Sequence, residues 1–156
     1  MRNLLLALIF TLTSASSFAV LGGAALPASA GLVDQGIRPF ALQSGLPQAL
    51  ALATAGVQVR QTQLPSGTQI REYLNTNNIV FAVAWRGPTM PNLQQLLGNY
   101  FQQYTNRPTA TLFSLRNAEL NNANVVVRSH GHLRAFQGKA FIPSLMPVGF
   151  PEDQIQ

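Results

Sequence analysis

One segment of the sequence, residues 79–86, limits the folds that the chain can adopt. Every residue in the run except Arg86 is apolar. A strand of this composition is usually central in its sheet and covered on both faces. The run therefore predicts a central β-strand.

Two further strands are predicted before it. Residues 57–64 alternate in part and are rich in β-forming residues, and residues 68–74 resume the pattern. Residues 65–67 (Pro-Ser-Gly) and 75–78 (Asn-Thr-Asn-Asn) are turn sequences, because Gly and Asn tolerate positive φ. The three segments predict an antiparallel meander.

An amphipathic helix should follow the meander. Thr89 is the predicted N-cap, with Pro91 in the first turn. Apolar residues then recur at the spacing of one helical face, which is occupied by Leu93, Leu96, Leu97, Tyr100, Phe101 and Tyr104. Gly98 lies inside this segment, where Gly costs about 1 kcal/mol relative to Ala.

The C-terminal part predicts a hairpin and a tail. Residues 125–142 are typical of two strands, with the turn at His130-Gly131, and residues from Pro143 are expected to extend over the surface. Residues 109–124 stay ambiguous between a short strand and a packed loop. The predicted fold is one α+β domain over residues 57–156, with a three-stranded meander, one amphipathic helix across it and a C-terminal hairpin.

The start of the chain has the pattern of a secretory signal peptide. Arg2 and Asn3 precede an apolar run, and residues 17–19 (Ser-Phe-Ala) fit the small-x-small cleavage rule. We predict that residues 1–19 are a signal peptide, with Ala30 as a second candidate for the end of it. The protein is then periplasmic or secreted and has no membrane anchor after cleavage. Residues 20–56 are predicted to form a flexible N-terminal arm.

The amino-acid composition argues against several classes of site and function. The chain has no cysteine, which excludes disulfides, a lipid anchor on cysteine and thiolate metal sites. Its 10 Lys and Arg exceed its 5 Asp and Glu, but the basic residues are scattered, so nucleic-acid binding is not predicted. Only 10% of the residues are charged, and such a surface has little charge repulsion to keep partners away.

The best candidate for chemistry is a group of four basic residues: Arg128, His130, His132 and Arg134. They share one face if their segment is a continuous strand, because side chains alternate with a period of two. The group is either an anion or metal site at the sheet edge, or a plain hairpin with exposed basic flanks. We favour the hairpin and predict no metal site, since metal binding usually needs three or four ligands.

Trp85 and Arg86 form a second candidate. An exposed Trp beside Arg suits a carbohydrate or peptide platform. The alternative, which we favour for Trp85, is that it closes the core where the third strand meets the helix. No catalytic residue and no cofactor is predicted, because nucleophile-elbow, paired-carboxylate and phosphate-loop patterns are missing.

Three long strings carry a family resemblance: LPSGTQIREYL, IVFAVAWRGPTMPNLQQLLGNYF and VVVRSHGHLRAFQGKAFIPSLMP. With Leu21-Gly22-Gly23, they resemble the uncharacterised bacterial family called domain of unknown function 2844. The resemblance implies a small exported proteobacterial protein. It implies no activity, cofactor or catalytic residue.

Three functions remain as hypotheses. The first is a non-enzymatic envelope binding or assembly module, in which an exposed strand edge or the N-terminal arm contacts an unknown protein partner by strand addition. The alternative is a periplasmic binder of a small anionic or glycan ligand, which would use residues 128–134. The third is a hydrolase of unrecognised type.

Overall fold

The computed structural model of the chain describes residues 20–24, 33–39, 56–107 and 117–156, with residues 33–39 described by their backbone and its pairing. The predicted signal peptide, both candidate cleavage residues and most of the predicted arm lie outside these ranges. The ambiguous segment is described only from residue 117.

Within these ranges, seven strands form one sheet in the order β1-β2-β3-β4-β7-β6-β5, and every pairing is antiparallel. The strands are β1 (Val33–Pro39), β2 (Gln58–Gln63), β3 (Gln69–Leu74), β4 (Val80–Gly87), β5 (Ala118–Asn121), β6 (Val126–His132) and β7 (Ala135–Phe141). The predicted α+β class and antiparallel sheet are confirmed. The predicted strand count was too low, because β1 and β5 extend the sheet at its two edges.

The predicted central strand has the predicted environment. β4 lies between β3 and β7, and its residues up to Trp85 are buried. Val83 belongs to one apolar cluster, whereas its neighbours Ala82 and Ala84 belong to another. Alternate side chains of β4 therefore fill two cores, one on each face of the sheet.

One core lies under the helical segment, and we call that side of the sheet the helical face. The segment consists of α1 (Leu93–Leu97), a 3-10 turn (Gly98–Tyr100) and α2 (Phe101–Thr105). The predicted single helix is thus interrupted at Gly98, whose φ of 52° is left-handed. The N-cap is also different from the predicted Thr89, because Asn92 Oδ1 accepts a hydrogen bond from Gln95 N at 3.2 Å.

Residues 20–24 pack at the junction of the helical segment and β4. Leu21 is 2% exposed, and its N–H donates to Leu96 O at 3.0 Å. Gly22 N donates to Val80 O at 2.8 Å, and Val80 N donates to Gly23 O at 3.0 Å. The first described residues of the predicted arm are therefore part of the core.

The second core lies under the C-terminal tail, and we call that side the tail face. Phe150 and Ile155 are buried there, and the Phe150 ring lies 5.3 Å from the Phe81 ring and 6.1 Å from the Tyr73 ring. Two 3-10 turns, Pro143–Leu145 and Glu152–Gln154, shape the tail. The tail thus forms a packed layer over part of this face.

The β6–β7 hairpin turns later than predicted. β6 continues through His130 and Gly131 to His132, which pairs with Ala135, so the turn is Leu133-Arg134. Arg134 adopts a φ of 61°, which few non-glycine residues do. His130 and His132 therefore lie within a regular strand.

Candidate functional site

The register of the central strands collects basic side chains on the part of the tail face that the tail leaves open. Gln137 of β7 pairs with Arg86 of β4 on one side and with His130 of β6 on the other. Neighbouring strands lie about 4.8 Å apart, so Arg86 and His130 are about 10 Å apart across the row. The sequence prediction had named both residues without placing them together.

The next row towards the tail carries further charge. Lys139 of β7 pairs with Arg128 of β6 and with Ala84 of β4, and Ala84 pairs with Arg71 of β3. We call these side chains, together with those of the hairpin end, the basic face: Arg71, Arg86, Arg128, His130, His132, Arg134 and Lys139. Arg71 and Lys139 were missed in the sequence, because only the strand register brings them beside the predicted residues.

An open pocket of about 380 Å³ lies at the hairpin end of the basic face. It is lined by Arg86, Gly87, Pro88, His130, Gly131, His132, Arg134, Ala135, Phe136 and Gln137. We call it the end pocket. No carboxylate is among these residues, so the pocket offers positive charge and hydrogen-bond donors without an acidic partner.

Four side chains of the end pocket are of basic residues, and all four are exposed: Arg86, His130, His132 and Arg134. Within the described ranges, none of the four makes an ion pair or a side-chain hydrogen bond. Their donors are therefore free to meet a ligand.

The inner row differs, because the tail supplies it with an acid. Glu152 forms ion pairs with Arg128 and with Lys139, the latter at 3.2 Å between Oε1 and Nζ. Arg128 Nε also donates to Glu119 Oε1 at 3.0 Å. Burial, and secondarily the positive charge of Arg128, lowers the pKa of Lys139 below its usual value of 10.5, while Asp153 opposes the change. Carboxylates of the protein itself therefore already pair with Arg128 and Lys139, which we call the inner cations.

The tail end also borders the basic face. A cavity of about 290 Å³ lies between Ile155 and Gln156 of the tail and the side chains around His130. Beside it, Arg71 Nη1 donates to the main-chain oxygen of Gln156 at 3.1 Å, and Arg71 Nε donates to Gln61 Oε1 at 3.2 Å. Arg71 is thus held between Gln61 and the end of the tail.

Trp85 contributes to the lining of the cavity at the tail end, together with Arg86, Arg128 and His130, but it packs in the other core. It is 2% exposed and belongs to the core of the helical face, so its ring cannot form an exposed platform. Its ring lies over Gly138, where an added Cβ would overlap the indole. The indole Nε1 is buried, and no described residue offers it a hydrogen-bond partner.

The described part of the chain shows neither a metal site nor a membrane-spanning helix. It contains no group of three or more His, Cys, Asp or Glu side chains that could hold a metal ion. None of its helices has the length and apolar character needed to span a bilayer.

The sequence was also compared with known proteins. Residues 17–155 match the family described as "Protein of unknown function (DUF2844)". No curated protein and no solved structure matches the chain. The match covers nearly the whole chain and confirms the resemblance carried by its three long strings: the chain belongs to the DUF2844 family.

Proposed function

We propose that this protein is a non-enzymatic binding module of the cell envelope that holds an anionic ligand at the basic face of its sheet. One observation carries the proposal. Four exposed basic side chains converge on the end pocket, and neither a carboxylate nor any other described partner compensates them.

The chemistry of the pocket suits an oxyanion. A guanidinium group donates two parallel hydrogen bonds to phosphate or carboxylate oxygens, and such charge-assisted bonds are stronger than neutral ones. Arg86 and His130 project from regular strands on either side of Gln137. Side chains on strands are positioned more accurately than side chains on loops, which favours specific binding.

The same geometry favours a ligand over a protein partner bound by strand addition. Strand addition uses an exposed sheet edge. Arg86 instead projects from β4, which is paired on both sides, and Arg134 lies in the hairpin turn. The surface available to a partner here is a sheet face with donors, which can bind an anion directly.

The placement in the envelope rests on the N-terminal pattern. Residues 1–19 have the basic start, the apolar core and the small-residue end of a signal peptide. A periplasmic or secreted module would meet anionic glycans, phosphorylated components and lipid headgroups.

Titration calorimetry on the mature chain tests the proposal, with inorganic phosphate and a carboxylated glycan as probes. Arg86→Gln removes one free cation, and Arg134→Asn removes another while keeping a residue that tolerates the left-handed backbone. Each change should weaken binding about tenfold or more, because a hydrogen bond to a charged group contributes about 1.5–3 kcal/mol.

Two controls make the result specific. Arg86→Lys keeps the charge but loses the planar fork, so it should bind better than Arg86→Gln and less well than the parent. Gln94→Ala changes an exposed residue of the helical segment and should have no effect. If neither probe binds, or if the double variant of Arg86 and Arg134 binds as well as the parent, the proposal is wrong.

A further inference from the structure

The tip of the β6–β7 hairpin is apolar, although it adjoins the basic face. Leu133 occupies the first position of the two-residue turn and is 85% exposed. Among the described residues, the large hydrophobic side chains that are exposed are Leu133 and Val148. A leucine at the tip gains nothing from packing within the protein, and a soluble anion would not need it.

The hairpin also projects beyond the strand beside it. Gly87, the last residue of β4, pairs with Phe136. β6 and β7 continue past this level by the pair His132 and Ala135 before the turn begins. With a rise of about 3.3 Å per residue, the turn lies roughly 7 Å beyond the end of β4. Amphipathic elements at a bilayer surface bury their apolar side about 5–10 Å into the boundary of headgroups and acyl chains.

The residues behind the tip are basic, as binding to an anionic bilayer surface requires. Arg134 follows Leu133 in the turn, and Arg86, His130 and His132 line the end pocket directly behind it. Basic residues near an anionic bilayer each contribute to attraction, and an apolar side chain adds the insertion that electrostatics alone does not provide. An apolar tip backed by the unpaired cations Arg86 and Arg134 is complementary to an anionic lipid surface.

We propose that the β6–β7 hairpin binds the surface of a membrane that contains acidic phospholipid. Leu133 enters the acyl boundary, while Arg86, Arg134 and the two histidines contact headgroup phosphates. The inference rests on the proposed function and identifies the source of the anion as a lipid headgroup.

Vesicle co-sedimentation of the mature chain tests the inference. Vesicles of phosphatidylcholine containing one part in about three of phosphatidylglycerol should bind the protein, whereas pure phosphatidylcholine vesicles should not, because Coulomb attraction to basic residues requires acidic lipid. Leu133→Ser should weaken binding about tenfold or more, since burying a leucine side chain contributes that much to an equilibrium. Fold is expected to be unaffected, because the side chain is exposed.

Val148→Ser is the matched control. Val148 is fully exposed, but it lies two residues from Phe150, whose ring packs on Phe81 near the start of β4. The hairpin tip lies beyond the other end of that strand, about 27 Å from Phe81 along the strand direction. Val148→Ser should therefore bind the acidic vesicles as the parent does.

Three results would overturn the membrane inference: equal binding of Leu133→Ser and the parent, equal loss in Val148→Ser, or binding to pure phosphatidylcholine that matches binding to the acidic vesicles. A parallel titration with inorganic phosphate separates it from the proposed function. If phosphate binds and Arg86→Gln abolishes that binding while vesicles are ignored, the anion site stands and the membrane role is wrong. If neither phosphate nor vesicles bind, both are wrong.

Discussion

The packing of residues 20–24 predicts that the position of signal-peptide cleavage affects the stability of the folded protein. Signal-peptide cleavage after Ala19 would keep the segment, whereas cleavage after Ala30 would remove it. Since Leu21 is 2% exposed and belongs to the core of the helical face, the two mature chains should differ in stability.

The size of the difference follows from the contacts. Leu21→Ala in the longer chain should lower the free energy of unfolding by about 2–5 kcal/mol, the range for leucine truncation in a core. For a domain of this size that corresponds to a fall in Tm of roughly 10 °C. A chain that begins at Gly31 should lose more, because it also leaves Val80 N–H and Val80 O, which are buried, without their partners Gly23 and Gly22.

Urea denaturation of three purified chains measures these values: the chain from Val20, its Leu21→Ala variant and the chain from Gly31. Asn99→Ala, at an exposed position of the helical segment, is the control and should leave the midpoint unchanged. N-terminal sequencing of the exported protein should give Val20 as the first residue. Equal midpoints for the chains from Val20 and Gly31 would refute the assignment of these residues to the core, and an exported protein that starts at Gly31 would refute the cleavage prediction.

Three further predictions concern the two cores. Gly138→Ala should destabilise the fold and shift the fluorescence of Trp85, the sole tryptophan, because the added methyl overlaps the indole and lies 2.6 Å from a main-chain oxygen; an unchanged emission spectrum would contradict this. Phe150→Ala should cost about 3–5 kcal/mol in urea denaturation, and a loss under 1 kcal/mol would show that the tail is not a structural layer. Burial raises the pKa of Tyr73 and of Tyr104 above 10.0, so the unfolded chain releases these protons first and stability should fall as the pH rises from about 10 through the folded-state values. Ultraviolet titration should then show late phenolate formation in the native protein, and identical curves in native and denaturing buffer would contradict it.

Much of the fold could be predicted because local patterns and tertiary structure agree. The almost continuous apolar run became β4, and both predicted turns before it are present. At the first of them Gly67 has a φ of 84°, and at the second Asn75 Oδ1 accepts from Ile79 N at 3.1 Å. In each case the residue that defines the turn is the one that the sequence pattern selected.

The errors arose where local preference and tertiary contacts conflict. Gly131 suggested a turn, but in the structure it is a strand residue over which the Phe136 ring lies, where a Cβ would overlap that ring. The true turn uses Arg134 with a positive φ, which composition does not indicate. β5 has four residues and too short a pattern to be recognised, and the start of the ambiguous segment before it lies outside the described ranges.

The candidate site could be predicted only in part, because residues of β6 share a face by periodicity, whereas their neighbours depend on register. Nothing in the sequence places Lys139 opposite Arg128, or Arg86 two strands away from His130. The misplaced turn also separated His130 from the strand that positions it. Arg128, His130 and His132 do share one face of β6, whereas Arg134 lies in the turn.

The tail explains why the proposed anion site lies at the hairpin end and does not extend over the whole basic face. Glu152 brings its carboxylate to the adjacent cations Arg128 and Lys139 and thereby holds the position that an external anion would take. A ligand competing there would have to displace a layer that is anchored by the buried Phe150. The packing of the tail on the sheet therefore also brings Glu152 to Arg128 and Lys139. Basic side chains without an acidic partner among the described residues remain at the end pocket, next to the exposed tip of the hairpin.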